Sequence, residues 1–224
     1  MPDSTWIKKE DENDKNEKSI SNWIKDNRTT FLSIVGITIV IIIIVIIVFV
    51  NLSKNKETAD KYLFIAKQYY GAGNIEKAIE QIEIIEKNFS AYPTYDFAIL
   101  LKGDMYYSVE NYAKAIEEYE KALSKLKNKD LIPFAMYSLS KSYQALKNYD
   151  KAIMLFKEFI SNYSDHYLTP DIYLSLAASY ENKGEKELAK ETFQKIVLLY
   201  PQTTWEVLSK EALKKYETNK KAKK

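Results

Sequence analysis

The chain has 224 residues and a net charge of +2, but the charge is unevenly distributed. Residues 51–213 carry 21 lysines against 23 acidic residues, whereas residues 214–224 carry six lysines and one glutamate. A nucleic-acid-binding protein has a basic folded part, so we expect no nucleic-acid partner. The sequence has no cysteine, which excludes disulfides, thiolate metal ligands and cysteine nucleophiles.

The first 30 residues are predicted to form a polar N-terminal tail. Residues 1–18 are rich in charged and polar side chains and are expected to be disordered. Residues 19–27 have an apolar face that includes Trp23, and an indole beside a membrane span suits the membrane–water interface. A short interfacial helix and a loose linker both fit this segment.

An uninterrupted apolar segment covers residues 31–50, which read FLSIVGITIVIIIIVIIVFV without a charge. A helix of this length measures about 30 Å, the thickness of the hydrocarbon core of a bilayer. Its isoleucine and valine side chains favour insertion by about 5 to 9 kcal/mol. We therefore predict a single transmembrane helix, because a helix in a soluble core needs a polar face.

The apolar segment is expected to remain in the protein as an anchor. It is longer than the roughly 7–15 apolar residues of a signal peptide, and no small-x-small cleavage site follows it. Four basic residues lie within about twenty residues before it and four within about twenty after it, so the positive-inside rule leaves its orientation open.

Beyond this segment, four stretches share one pattern: NIEKAIEQIEII, NYAKAIEEYEKA, NYDKAIMLFKEF and EKELAKETFQKI. Their central small residues are Ala78, Ala115, Ala152 and Ala189, and each is 37 residues from the next. A fixed period of this length predicts stacked supersecondary units.

Other positions keep the same register. Nine residues before each alanine is a tyrosine, at Tyr69, Tyr106, Tyr143 and Tyr180. Three residues earlier is a small residue, at Ala66, Gly103, Ser140 and Ala177. Four residues after each alanine is a large apolar one, at Ile82, Tyr119, Phe156 and Phe193. These positions resemble the signature of the tetratricopeptide repeat (TPR) family, in which two antiparallel helices form each repeat. The resemblance covers residues 59–203 and implies an all-α fold, an α-solenoid of four TPR helix pairs.

The expected helix ends agree with this register. Pro133 and Pro170 are predicted to open the first helices of repeats 3 and 4, where the missing N–H of proline costs nothing. Gly73 and Gly184 are predicted to lie in the turns within repeats 1 and 4, and Pro201 to follow the last paired helix.

Residues 204–224 are predicted to form a capping helix and a basic tail, since a solenoid needs a terminal helix with a polar outer face. Thr203 and Glu206 have the spacing of a capping box. Val207 is expected on the outer side of the helix. The face toward the repeats is expected to contain Trp205, Leu208, Ser209, Ala212 and Leu213. The last lysines are interpreted as a solvated tail or as a contact to acidic lipid headgroups.

Catalytic chemistry is not indicated. The one histidine, His166, falls in a connection between repeats and is expected at the surface. No carboxylate or histidine cluster has the spacing of metal ligands. We therefore expect no enzymatic activity, cofactor or metal.

The resemblance implies a concave groove, lined by the first helix of each pair, that binds proteins or peptides. The candidate groove residues are Lys67, Tyr70, Leu100, Asp104, Tyr107, Tyr137, Lys141, Gln144 and Glu181, together with Leu63, Leu174 and Ala178. Tyrosines suit such contacts because they bury large area at a small entropic cost. The lysine and asparagine pattern with which some TPR domains hold a C-terminal carboxylate is absent, since Leu63 and Lys67 stand at those positions.

The period of 37 residues, longer than the usual 34, resembles TPR proteins of the bacterial envelope. Among these are the ancillary subunit of the SecYEG translocon, the periplasmic coordinator of cell division and the outer-membrane assembly lipoprotein. The layout is most similar to the translocon subunit, with a polar tail, an uncleaved span and the TPR domain directly after it. This resemblance implies a bacterial inner-membrane protein whose periplasmic repeats bind translocon subunits, chaperones or envelope complex members. A self-associating scaffold in an envelope or division complex, and repeats that face the cytoplasm, stay open as alternatives.

Overall fold

The computed structural model describes residues 21–221, with side chains described through residue 216. The chain divides into two compact units, Met1–Asn55 and Lys56–Lys224. Every regular element within the described residues is a helix. The predicted disorder of residues 1–18 and the end of the basic tail lie outside the described residues. So does the start of the predicted short helix, of which residues 21–26 are helical.

The longest helix, α1, covers Arg28–Gly71 and contains the predicted span. It does not end at residue 50, where the apolar segment ends, but continues as the first helix of repeat 1. The sequence explains this continuity, because residues 51–70 contain neither glycine nor proline, the residues that most strongly end a helix.

The four predicted helix pairs are present. Repeat 1 consists of the last part of α1 and α2 (Ile75–Asn88), and repeat 2 of α3 (Thr94–Ser108) and α4 (Tyr112–Lys125). Repeat 3 consists of α5 (Ile132–Ala145) and α6 (Tyr149–Asn162), and repeat 4 of α7 (Thr169–Lys183) and α8 (Lys186–Leu199). A short 3-10 helix, Lys129–Leu131, precedes α5, and the terminal helix α9 (Thr204–Lys221) packs against α7 and α8. The predicted all-α solenoid with a terminal helix is confirmed.

The turn within each repeat has the same backbone geometry. Its last residue has a positive φ in all four repeats: 77° at Gly73, 60° at Glu110, 62° at Lys147 and 89° at Gly184. The two glycines were predicted in these turns. Repeats 2 and 3 have a residue with a side chain in the left-handed region instead. This conformation costs such a residue roughly 1–2 kcal/mol relative to the right-handed one, a cost that glycine avoids.

Asparagine caps the helix that follows this turn in three repeats. The side chains of Asn74, Asn111 and Asn148 each accept a hydrogen bond, 3.3 Å long, from the backbone N–H three residues later. Glu185 holds the same position in repeat 4 and makes no such bond. Each cap satisfies one of the N–H groups that a helix leaves free at its start.

The paired helices cross at small residues, as predicted. The four central alanines are completely buried, and all four small residues on the first helices are buried as well. Gly103 shows why the position must be small. A Cβ atom there would lie 2.5 Å from the ring of Tyr119, which is itself buried. Pro133 and Pro170 stand in the first turns of α5 and α7, as predicted.

The start of α9 differs in one detail from a capping box. The hydroxyl of Thr203 accepts from the N–H of Glu206 at 3.3 Å, as predicted. The carboxylate of Glu206, however, accepts from the N–H of Gln202 at 2.6 Å rather than from that of Thr203. Gln202 has a φ of 61°, and this bend brings its N–H within reach of the carboxylate.

The prediction that Leu208 faces the repeats is wrong, because Leu208 is exposed beside Val207. The inward face of α9 is centred on Ser209, which is completely buried. It also contains Trp205, Ala212, Leu213 and Tyr216. Leu208 lies one residue, or about 100° around the helix, from the centre of that face.

Candidate protein-binding groove

The first helices of the repeats form the inner layer of the solenoid. Helices α3 and α5 contact each other, as do α5 and α7, and α7 and α9. No comparable contact joins the successive second helices in the part of the chain that the structure describes. Because the first helices are closer together than the second ones, their free side forms the concave face. The candidate groove residues lie on these first helices.

Two tyrosines form the centre of this face. Tyr107 on α3 and Tyr137 on α5 are each half-buried, so part of each ring remains available to a partner. Burial raises the pKa of both phenols, and the nearby carboxylate of Asp171 adds to the rise at Tyr137. The ring of Tyr107 is held edge-on against Tyr112, with centroids 5.2 Å apart.

Asp104 is fixed at the base of the groove in repeat 2. Its carboxylate accepts a hydrogen bond of 2.5 Å from the hydroxyl of Tyr119, the large residue at the helix crossing. Although Asp104 as a residue is exposed, the surrounding helices displace water from its carboxyl. This desolvation raises the pKa of Asp104, and the hydrogen bond from Tyr119 offsets part of the rise.

Lys141 and Gln144 form a polar network between repeats 3 and 4. The ammonium of Lys141 donates to Gln144 at 3.0 Å and to the hydroxyl of Ser175 at 3.3 Å. Gln144 donates to the carbonyl oxygen of Ser175 at 2.8 Å and to the hydroxyl of Ser179 at 2.9 Å. Desolvation lowers the pKa of Lys141, and Asp171 opposes this only in part. The two groups that accept its hydrogen bonds, an amide and a hydroxyl, are neutral.

The terminal helix α9 occupies the end of the face. The carboxylate of Glu181 accepts a hydrogen bond of 2.6 Å from the hydroxyl of Tyr216. Asp171 similarly accepts from the indole N–H of Trp205 at 2.8 Å. Glu181, predicted as a groove residue, is thus engaged by the cap.

The remaining predicted groove residues lie nearer the start of the solenoid. Lys67 is exposed on α1, and Tyr70 is half-buried against the core of repeats 1 and 2. Leu100 is half-buried where the two core clusters meet. Among the described contacts, no hydrogen bond or ion pair joins Lys67 or Tyr70 to Asp104. The structure therefore concentrates the interacting groove residues in repeats 2 to 4.

Three further residues of the inner face were missed from the sequence. Phe97, Phe134 and Asp171 stand three residues before Leu100, Tyr137 and Leu174, one helical turn earlier in the register. Both phenylalanines are exposed, at 45% and 37%. The 37-residue repeat could have revealed them. Extending the predicted groove face by one helical turn toward the N-terminus of each first helix would have included all three residues.

An ion cluster between repeats 1 and 2, away from the predicted groove residues, was also missed. The buried ammonium of Lys102 lies 3.0 Å from Glu86 and 3.2 Å from Glu118. Lys121 pairs with the same two carboxylates. Desolvation alone would raise the pKa of Glu86, but hydrogen bonds from both lysines outweigh it and hold the pKa below its usual range. Repeats 3 and 4 have leucine, Leu139 and Leu176, at the position that Lys102 holds in repeat 2. A charge at a position that is otherwise apolar was the signal in the sequence that could have revealed the cluster.

His166 lies in the connection between repeats 3 and 4, as predicted, but it is half-buried rather than freely exposed. Its ring stacks on Tyr167, with centroids 4.7 Å apart, and meets Phe134 and Phe159 edge-on at 5.6 and 5.7 Å. Its Nδ1 accepts from the N–H of Leu168 at 3.2 Å. These contacts give His166 a structural role. Among the residues described, no three His, Cys, Asp or Glu side chains are grouped to hold a metal.

Family models described as tetratricopeptide repeat match residues 98–124, 134–166 and 171–203. These ranges fall in repeats 2, 3 and 4. Among curated proteins, no sequence matches this chain. The chain thus carries TPR repeats, and its helix pairs form a TPR solenoid, a fold that typically serves as a non-catalytic interaction module.

Solved structures share this fold at low sequence identity. MamA (41-end) from Desulfovibrio magneticus RS-1 is 18% identical with a TM-score of 0.59, over 73% of this chain and 85% of that one. A tetratricopeptide repeat protein from Parabacteroides merdae ATCC 43184 is 15% identical with a TM-score of 0.61, over 73% of this chain and 61% of that one. Nearly identical TPR-like repeats from Podosopora anserina are 19% identical with a TM-score of 0.59, over 74% and 89%.

Proposed function

We propose that this TPR solenoid is a non-enzymatic, membrane-anchored adaptor whose concave face binds partner proteins or peptides. The observation that carries the proposal is the composition of that face in repeats 2 to 4. The first helices present the half-buried rings of Tyr107 and Tyr137 and the exposed rings of Phe97 and Phe134. Aromatic rings held in place by packing give binding energy without a large loss of side-chain entropy.

Charged groups within the face would orient the partner. Lys141 is desolvated and makes its hydrogen bonds to neutral groups, whereas Asp104 is desolvated and accepts from Tyr119. A partner that supplies an acidic group to Lys141 gains a charge-assisted hydrogen bond of about 1.5–3 kcal/mol. Such contacts fix the register of an extended peptide or a helix along the groove.

The anchor in this proposal is the apolar part of α1. Helix Arg28–Gly71 is long and apolar enough to cross a membrane, and its apolar side chains are exposed rather than packed. The hydroxyls of Ser33 and Thr38 donate to carbonyl oxygens one turn earlier, at 2.9 and 2.8 Å. Polar groups satisfied within their own helix are what a hydrocarbon environment requires.

The site of action that we propose is the bacterial inner membrane, with the repeats in the periplasm near the protein translocon. Translocon subunits, chaperones and other envelope complex members are the proposed partners. The support is the layout of a polar tail, an apolar span and repeats of 37 residues. The charge balance around the span favours neither orientation, so topology needs its own experiment.

A structural scaffold in an envelope or cell-division complex, without client binding, is the second candidate. Apolar side chains are exposed at the end of the solenoid, where Leu198 and Leu199 of α8 lie near Val207 and Leu208 of α9 in the sequence. Exposed apolar side chains of this kind favour self-association.

Co-purification from membranes distinguishes the two functions. The full chain, solubilised in a mild detergent, is expected to retain translocon subunits or chaperones. The double variant Tyr107→Ala/Tyr137→Ala should lose them, whereas Met154→Ala, at an exposed position on the second helix of repeat 3, should not. Recovery of only its own copies or of division proteins, unchanged by the double variant, would favour the scaffold.

Protease protection tests the orientation. In spheroplasts of cells that express the full chain, external protease should digest the repeats and leave a cytoplasmic marker protein intact. Protection of the repeats until the cells are lysed would place them in the cytoplasm and would overturn the periplasmic part of the proposal.

A further inference from the structure

The three interfaces between successive repeats differ at one register position on the second helix. Glu118, Leu155 and Thr192 are each 37 residues apart and hold the same position on the second helix of their repeats. In repeat 2, Glu118 meets the ammonium of Lys102, and in repeat 3 Leu155 packs against the core cluster that includes Leu139. In repeat 4, threonine replaces these longer side chains, and the space is left open.

This space is a cavity of about 350 Å³ between repeats 3 and 4. It opens to solvent among the second helices, away from the groove. Its apolar lining consists of Ile160, Tyr173, Leu176, Tyr180 and Leu188. The hydroxyl of Thr192 donates to the carbonyl oxygen of Leu188 at 2.7 Å, within its own helix. The short side chain of Thr192 therefore leaves the cavity unfilled, and its hydroxyl donates within the helix rather than to a group in the cavity.

The rim of the cavity is basic, unlike the corresponding site one repeat earlier. Lys157 and Lys195 line it, whereas the residues 37 positions before them are Glu120 and Glu158. Neither lysine forms an ion pair with any residue that the structure describes. Lys195 instead lies 5.2 Å from the centroid of the Tyr173 ring. Glu191 is the one acidic residue of the lining, so the rim keeps a net positive charge.

We propose that this cavity is a second docking site, which binds a segment of a partner protein that carries a large apolar side chain between acidic residues. The apolar side chain would fill the volume that Thr192 leaves. The acidic neighbours would pair with Lys157 and Lys195. The open mouth fits a side chain presented by a protein surface, since a small-molecule site buries most of its ligand. This site lies outside the groove and does not depend on the groove binding anything.

The matched variant is Thr192→Leu, which places in repeat 4 the residue that repeat 3 already has in the same register. It fills the cavity, and its thermal unfolding midpoint is expected to equal or exceed that of the wild type. Lys157→Glu/Lys195→Glu gives the rim the charge found one repeat earlier and keeps the cavity open. Tyr137→Ala serves as the control for the groove.

The probe is a phage-displayed library of random heptapeptides, selected on the full chain in detergent after depletion on the Thr192→Leu variant. The selected peptides are expected to carry Leu, Phe or Trp flanked by Asp or Glu. They should bind Thr192→Leu and the double lysine variant at least about tenfold more weakly than the wild type. They should bind Tyr137→Ala unchanged.

Three results would overturn the proposal: no enrichment after depletion, enriched peptides without acidic residues, or equal binding to Thr192→Leu. Loss of binding in Tyr137→Ala would also overturn it, because the peptides would then occupy the groove. If the groove proves to bind no partner, these expectations for the cavity do not change. Each proposal can therefore be rejected without rejecting the other.

Discussion

The interface between repeats 1 and 2 and the interface between repeats 3 and 4 use one backbone register with opposite chemistry. In the first, Lys102 and Lys121 share the carboxylates of Glu86 and Glu118. In the second, the positions of Lys102 and Glu86 are held by Leu176 and Ile160, which line a cavity. The helix crossings are built alike in both, by a small residue on the first helix against a large one on the second. The crossing residues therefore define the repeat, and the positions beside them are free to take other roles.

We expect an apolar interface at these positions to be as stable as the ionic one. Moving charges out of water costs about as much as their attraction returns, so apolar residues at the same positions would serve equally well. We infer that the cluster specifies which helices pair, since a buried lysine is tolerated only opposite the two glutamates. The predictions that follow compare the ionic interface with the apolar ones.

The largest effect is expected from removing the central charge alone. Lys102→Met leaves Glu86 and Glu118 desolvated with only Lys121 between them. Removing one member of a buried ion pair typically costs about 3–5 kcal/mol. Urea unfolding of the full chain in detergent, followed by circular dichroism, measures the change. A loss below about 1 kcal/mol would show that water already compensates these carboxylates.

Replacing Lys102 together with both glutamates should reverse that loss, since the Lys121 that remains is partly exposed to solvent. The triple variant Lys102→Leu/Glu86→Leu/Glu118→Leu installs the residues that repeats 2 and 3 carry in the same register, Leu139, Leu123 and Leu155. Its stability is expected to equal the wild type or to exceed it by about 1–4 kcal/mol in the same urea experiment. A variant as unstable as Lys102→Met would mean that the ionic and apolar interfaces are not interchangeable.

The shared crossing position gives a smaller effect. Gly103→Ala places a Cβ atom 2.5 Å from the ring of Tyr119, whose hydroxyl is held by Asp104. Overpacking of this kind costs about 1–3 kcal/mol. Ser140→Ala, at the same position in repeat 3, is the control and should change the unfolding midpoint little. Equal midpoints for both variants would contradict the tight crossing in repeat 2.

Acid should weaken the ionic interface selectively. The pKa of Glu86 is held below its usual value in the folded state. The stability that Glu86 contributes is therefore complete above the pKa of the unfolded state, and it is lost as the pH falls through the pKa of the folded state. The wild type should therefore lose stability relative to the triple leucine variant as the pH decreases from about 5 toward 3. If the free energies of unfolding of the two proteins change equally with pH, the cluster does not cause the loss of stability in acid.

The turns give the smallest effect. Lys147→Gly relieves a left-handed backbone at φ 62°, in a turn where repeats 1 and 4 already have glycine. A gain of about 0.5–1 kcal/mol is expected, because the relief of strain exceeds the added entropy of the unfolded chain. The thermal midpoint of Glu110→Gly should rise similarly. A decrease in both would show that the side chains stabilise these turns.

The periodic features of the fold were predictable from the sequence. The alanine interval of 37 residues and the prolines at 133 and 170 predicted the helix pairs and two of their starts. The continuous helix α1 was not anticipated as one element, because the change from an apolar to a polar pattern near residue 50 suggested separate segments. Helix continuity depends on the absence of breakers rather than on hydropathy.

The helices on which the candidate groove residues lie were predictable, but the contacts of these residues were not. The register placed Tyr107, Tyr137 and Lys141 on first helices, where the structure has them. It did not reveal that α9 engages Glu181 through Tyr216, because the docking of a terminal helix has no counterpart in the repeats. The ion cluster was missed for a related reason, since it replaces a repeated apolar position with a charge.

Photo-crosslinking from the groove tests the central claim most directly. A photoreactive amino acid at position 137 of the full chain in native membranes should capture translocon subunits or chaperones, identified by mass spectrometry. The same group at position 154, exposed on α6, should not capture them. Equal capture from both positions, or capture only of other copies of this chain, would contradict an adaptor that binds its partners through the concave face.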